Sequence, residues 1–183
     1  MMRGDPEQSS AWYTGEYVSR WPNGQLHSRG QLVNGKEEGE WQYWDKGGDF
    51  ERGLYVHGKK NGLWKGSYAD GLPRHEGAYI HGKRDGLWRR WHHNGVMEFE
   101  GNYVNNQSEG LHRLWHQNGY PMEVGNYVNG LREGRWEAWD SKGDMLFVGE
   151  FINGKENGPW KFVYEGGVEI RILYNNGEKV GEW

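Results

Sequence analysis

The stretches YIHGKRDGLWRRWHHNGVMEFEG (79–101) and YVNGLREGRWEAWDSKGDMLFVG (127–149) share a framework of aromatic, turn and glycine positions. Each carries two tryptophans three residues apart. A catalytic site is needed once, whereas a phrase repeated at a fixed interval marks a building unit. Sliding the chain by about 24 residues superimposes Gly77, Gly101, Gly125 and Gly149, and with them Tyr55, Tyr79, Tyr103, Tyr127 and Phe151. The same shift aligns the glycines 62, 86, 110, 134 and 158, then Trp64, Trp88, His112, Trp136 and Trp160. A second aromatic column follows at Trp91, Trp115 and Trp139. The spacing divides the chain into a polar segment, 1–14, and an array of about seven repeats over 15–183.

Two turn signals recur in each unit. One is the tetrad HHNG (92–95), HQNG (116–119) or DSKG (140–143); the other is the NGKxxG box, as in Asn34–Gly39 and Asn153–Gly158. Asn-Gly supplies the positive φ that a tight hairpin turn requires. The segments between turns are short and rich in Trp, Tyr, Val and Phe, which reads as strands. Two strands and two turns per unit predict an all-β chain: an elongated, single-layer antiparallel β-meander of about fourteen strands, with negligible helix. Alternation puts Met97, Phe99, Gly101 and Tyr103 on one face, so a neighbouring ring can cover the glycine. Trp88 and Trp91 sit at i and i+3, which sends them to opposite faces or places a bulge between them.

Composition supports a thin structure. Hydrophobic residues make up 34%, and that share leans on 12 Trp and 11 Tyr, so aromatics must do the work of a thick aliphatic core. The absence of Cys excludes a disulfide framework and a thiolate zinc site. The polar start, MMRGDPEQSS, lacks the apolar run of a signal peptide, and a cytoplasmic location is expected. A net charge of −4 with interspersed signs predicts no direct nucleic-acid binding.

The pattern NGKxxGxWxxWxxNGxxxxxGxY resembles MORN repeats, specifically the bacterial variant of antitoxin-type proteins such as YwqK. Gly77-Ala78-Tyr79, His81 to Gly86 and Trp88 carry the match in one unit; Gly149-Glu150-Phe151, Asn153 to Gly158 and Trp160 carry it in another. The resemblance implies a string of β-hairpins in one sheet. It also implies a role in protein scaffolding, membrane-lipid contact or neutralisation of toxins. Asn106 departs from the pattern at the turn glycine, His112 at the first Trp and Val163 at the second.

Catalytic and metal chemistry find little support. There is no GxSxG, P-loop or HExxH. His92 and His116 stand one period apart, with His93 and His112 nearby, but neighbouring strands project side chains in parallel rather than toward one ion. They read as turn-flanking polar residues, so no metal and no cofactor are expected. The box cations Lys36, Lys59, Lys83, Arg132 and Lys155 form a column with Glu37, Asp85, Glu133 and Glu156 beside them, which reads as a mixed-charge turn row.

A one-layer sheet cannot hide both faces, and rings are favoured at binding hot spots. The expected partner-binding residues are therefore the rows Tyr79, Tyr103, Tyr127, Phe151 and Trp88, Trp136, Trp160, with Trp91, Trp115, His92 and His116 as secondary candidates. The expected function is a non-catalytic protein-binding scaffold, antitoxin-like or immunity-like, that neutralises a partner protein such as a toxin. The competing reading is a phospholipid-binding or carbohydrate-binding β-repeat.

Overall fold

The structure, a computed structural model, describes residues 12–183, so most of the 1–14 segment lies outside the described residues. Among those residues, fifteen strands hydrogen-bond in sequential order into one open antiparallel sheet, one strand more than expected. The chain is all-β: the described residues contain a single 3₁₀ turn at Glu165–Gly167 and no α-helix. Two compact units divide at Gly86 and Leu87.

The first unit holds β1 (Gly15–Arg20), β2 (Leu26–Val33), β3 (Lys36–Trp44), β4 (Phe50–Val56), β5 (Lys59–Ser67), β6 (Pro73–Ile80) and the start of β7 (Lys83–Trp91). The second holds the rest of β7, then β8 (Met97–Val104), β9 (Gln107–Trp115), β10 (Pro121–Val128), β11 (Leu131–Trp139), β12 (Met145–Ile152), β13 (Lys155–Tyr164), β14 (Val168–Asn175) and β15 (Glu178–Glu182).

The box turns are two-residue hairpins with both central residues left-handed: Asn34 and Gly35 have φ of 50° and 72°. That is the geometry which matches strand twist. Asn106 replaces the turn glycine at φ 74°, a conformation that Asn tolerates, so the departure leaves the hairpin intact. The tetrad turns close differently. Gly95 donates its N–H to His92 O at 2.8 Å and takes φ 81°, a type I turn ending in a glycine bulge.

A second bulge sits at the box glycine. Asn126 pairs with Glu133 and Gly125 with Trp136, leaving Gly134 and Arg135 over in β11. Gly158 marks the same break in β13, where Glu150 pairs with Asn157 but Val148 pairs with Lys161. This main bulge precedes the tryptophan pair instead of separating its members. The pair is divided between faces: Trp41 stacks on Tyr43 at 5.8 Å, whereas Trp44 meets Phe50 at 5.1 Å.

The core is one repeated contact. At Trp41, Trp64, Trp136 and Trp160 the first-column ring lies flat on the glycine of the preceding strand, which is Gly30, Gly53, Gly125 and Gly149 respectively. Its indole N–H donates to a carbonyl ten residues back, Trp64 to Leu54 O at 3.0 Å and Trp136 to Asn126 O at 3.2 Å. The tyrosine column meets it edge-on, with Tyr55 against Trp64 at 5.1 Å and Tyr127 against Trp136 at 5.0 Å. Each buried indole removes about 200 Å² from water, worth about 5 kcal/mol.

Candidate binding surface

The aromatic rows divide by depth. Trp88, Trp136, Trp160 and Phe151 are buried, so their rings pack the sheet and present little side-chain surface. Tyr79, Tyr103 and Tyr127 are half-buried, as are Trp91 and Trp115. Cations cover part of what remains: Lys60 Nζ stands 3.7 Å over Trp64, and Arg132 Cζ 4.2 Å over Trp136.

The histidines tie repeats together. His92 Nε2 bonds Trp115 O at 2.8 Å, and His116 Nε2 bonds Trp139 O at the same distance. Each therefore anchors a tetrad turn to the next repeat. His112 is buried in the tryptophan column and lies over Gly101. Its Nε2 meets Asn102 O at 2.9 Å, the same ten-residue span that the indoles use, so Nε2 is the protonated nitrogen. Among the described residues, no group of three or more His, Cys, Asp or Glu is arranged to hold a metal ion.

The box charges are not one mixed row. Arg132 turns to the aromatic face, where it pairs with Glu123 at 2.8 Å. The fifth box position reaches across to the next turn instead of neutralising its neighbour. Glu38 accepts from His57 N, Glu109 from Asn129 N and Glu133 from Asn153 N, all at 2.8–2.9 Å. A backbone bond runs beside each tie, for example Gly154 N to Arg132 O at 2.9 Å.

The first unit also contains a cleft of about 180 Å³ lined by Trp21, Tyr43, Asp49, Glu51 and Arg74 among others. Its carboxylates are engaged: Asp49 accepts from Arg74 at 3.1 Å, and Glu51 from Lys60 at 2.7 Å. Burial raises the Glu51 pKa, but the His75 and Lys60 side chains outweigh burial and bring it down to about 2. A general acid at neutral pH needs the reverse. Tyr43 is pushed up by burial and by its bond to the Tyr55 hydroxyl at 3.3 Å, which keeps it a neutral donor.

The opposite face carries the exposed apolar surface. In the second unit Val104, Val128 and Ile152 each follow a column aromatic and so point away from it. Leu87 and Leu111 precede the tryptophan column on that same face, and Leu131 pairs directly with Val128. All six are between 40 and 49% exposed. Beyond this strip run ion pairs, with Glu100 held between Arg89 at 3.0 Å and Arg113 at 3.5 Å. Of the two expected rows, the tryptophans and Phe151 lie beneath this sheet's surface, and the three tyrosines reach it. In the sequence this exposed apolar row is marked by a β-branched residue after each column aromatic from Tyr55 to Phe151.

Among curated proteins, none matches the chain. Residues 84–105, which span most of β7, its tetrad turn, β8 and the first residue of the next box, match the family model described as the MORN repeat variant.

Proposed function

We propose that this chain is a non-catalytic protein-binding repeat array that occludes a partner protein, in the manner of an antitoxin or immunity protein. The observation that carries it is the exposed strip of Val104, Leu111, Val128, Leu131 and Ile152 in the second unit. Rows of β-branched and Leu side chains on a hydrogen-bonded sheet are stiff, so they lose little entropy on binding. The match to the MORN repeat variant, generally a binding repeat, points the same way. In this reading the aromatic face sets the shape of the sheet, and Tyr79, Tyr103 and Tyr127 are its accessible contribution.

The test is to purify the chain from its native host, identify what co-purifies in stoichiometric amount, and titrate that protein calorimetrically. Replacing Val104, Val128 and Ile152 together with Ser should weaken binding at least about 30-fold, about 2 kcal/mol. Tyr103→Ser with Tyr127→Ser, folded by near-UV circular dichroism, is the comparison. Loss in the tyrosine variant and retention in the aliphatic one would return the contact to the aromatic face.

A further inference from the structure

The first unit repeats the aliphatic strip with a different border. Val33, Val56 and Ile80 point away from the aromatic face and are 37–52% exposed. Val33 pairs directly with Lys36 and Val56 with Lys59, and Ile80 and Lys83 flank the next box turn in the same way. Lys36, Lys59 and Lys83 are all exposed, and the turn glycines Gly58 and Gly82 sit beside the stems of Lys36 and Lys59. Of the acids nearest in sequence, Glu37 alternates to the opposite face and Glu38 accepts from His57 N, while Glu40 and Asp85 alternate to the lysine face. Arg29 and Arg52 add further cations to this face, while Glu76 is paired with Lys65 at 3.2 Å. The balance differs between units. Residues 12–86 carry 11 Lys and Arg against 10 Asp and Glu, whereas 87–183 carry 10 against 14.

We infer that this face of the first unit docks an acidic amphipathic α-helix of a partner protein, a reading that rests on the protein-binding role proposed above. Charge complementarity selects the occupant: an apolar strip bordered by a row of lysines takes a segment with an apolar stripe bordered by carboxylates. Spacing selects the helix. Lys36, Lys59 and Lys83 lie on alternate strands, so they recur every ~9.6 Å across the sheet. A helix laid across the strands returns to the same face every seven residues, about 10.5 Å. Three successive heptads therefore meet three successive Val–Lys or Ile–Lys pairs with a mismatch of only about 1 Å at each step. An extended peptide advancing ~3.3 Å per residue would also reach the row, but its alternating side chains would turn half of them to solvent.

The test uses a dye-labelled peptide of about four heptads built from Leu, Glu and Ala, and a twin with Lys in place of Glu. Fluorescence anisotropy with the whole chain should show saturable binding of the acidic peptide and at least tenfold weaker binding of the basic one. Lys36→Glu, Lys59→Glu and Lys83→Glu together should abolish acidic binding and improve basic binding. Val56→Ser with Ile80→Ser should weaken the acidic peptide at least fivefold. Lys→Gln at the same three sites, folded by near-UV circular dichroism, should give an intermediate loss if the Glu variant does not fold. Equal binding of the two peptides, no binding of the acidic one, or binding unchanged in the lysine variants overturns the inference. So does co-sedimentation with phosphatidylserine vesicles in the absence of acidic-peptide binding, or lysine-dependent self-association by sedimentation velocity. If the peptide fails while a stoichiometric native partner is still recovered, this inference falls alone. If no protein partner is recovered, the proposed function falls with it.

Discussion

At the scale of single residues, the fold rests on a ring laid over a missing side chain. A Cβ added at Gly125 would lie closer than 3.0 Å to the indole of Trp136, which is itself buried and edge-packed by Tyr127. The ring cannot retreat without losing its N–H bond to Asn126 O. Gly125→Ala should therefore cost about 3 kcal/mol, read as a fall in the urea midpoint with an unchanged slope. Gly134→Ala meets no neighbour but must hold φ 69°, and should cost about 1 kcal/mol. His112 offers the opposite experiment. It already makes the bond of the column and lies over Gly101 between Tyr103 and Tyr127. His112→Trp should stabilise the chain by about 1 kcal/mol, visible as a raised thermal midpoint, by completing the indole column. The columns themselves were legible in the 24-residue spacing. The burial of the tryptophans was not, because spacing places a ring on a face without saying what lies over it.

At the scale of elements, each hairpin is fastened to the next at both ends. The box acid satisfies the next turn's first N–H, and the tetrad histidine reaches a carbonyl of the following repeat. Glu133→Ala should cost about 1 kcal/mol by stranding Asn153 N, whereas Glu133→Gln keeps an acceptor and should cost less; chemical denaturation separates them. The bulge at the box glycine explains what alternation hid. Two extra residues, Gly134 and Arg135, leave the in–out phase of β11 unchanged, so the hydrophobic pattern passes through them undisturbed. The positive φ of the glycine is its mark in the backbone. Glu51 gives this scale a pH dependence. Its folded pKa is about 2 against an ordinary 4.5, so its stabilisation is complete above about pH 4.5 and is lost as pH falls toward 2. Glu51 is partly exposed, and screening reduces the effect to about 2 kcal/mol. Urea midpoints measured from pH 6 to 2.5 should fall more steeply for the native chain than for Glu51→Gln, which starts lower.

At the scale of the whole molecule, each strand draws its stability from its two neighbours, so protection should follow local burial instead of being uniform. The second unit shows both extremes. Trp136, Phe151 and Trp160 form a buried cluster to which Tyr127, Phe147, Phe162 and Tyr174 are packed. None of the residues of β14 and β15 is buried. Their hydrogen bonds are in register, with Trp160 facing Ile172 and Leu173 facing Gly181, yet Val168, Val180 and Trp183 are each more than half exposed. Trp183 stands in the first-tryptophan column, where the repeat places a packed ring. Its face is met instead by the Arg171 guanidinium at 5.1 Å, and among the described residues no glycine lies beneath it as Gly125 lies beneath Trp136. The column position was legible from the period, but β15 leaves over one residue, Val180, where β11 leaves two, so Glu182 and not Trp183 faces Ile172 in the place of the usual glycine. Backbone pairing without side-chain burial opens readily, because the bonds exchange for water at little net cost. Amide hydrogen exchange should accordingly find β10 to β12 the slowest part of the second unit, opening only with its global unfolding. Residues 168–182 should exchange at least about 100-fold faster, a difference of about 2.7 kcal/mol in opening free energy. Protection of β14 equal to that of β11 would show that the sheet is held by its hydrogen-bond ladder and not by the column of rings.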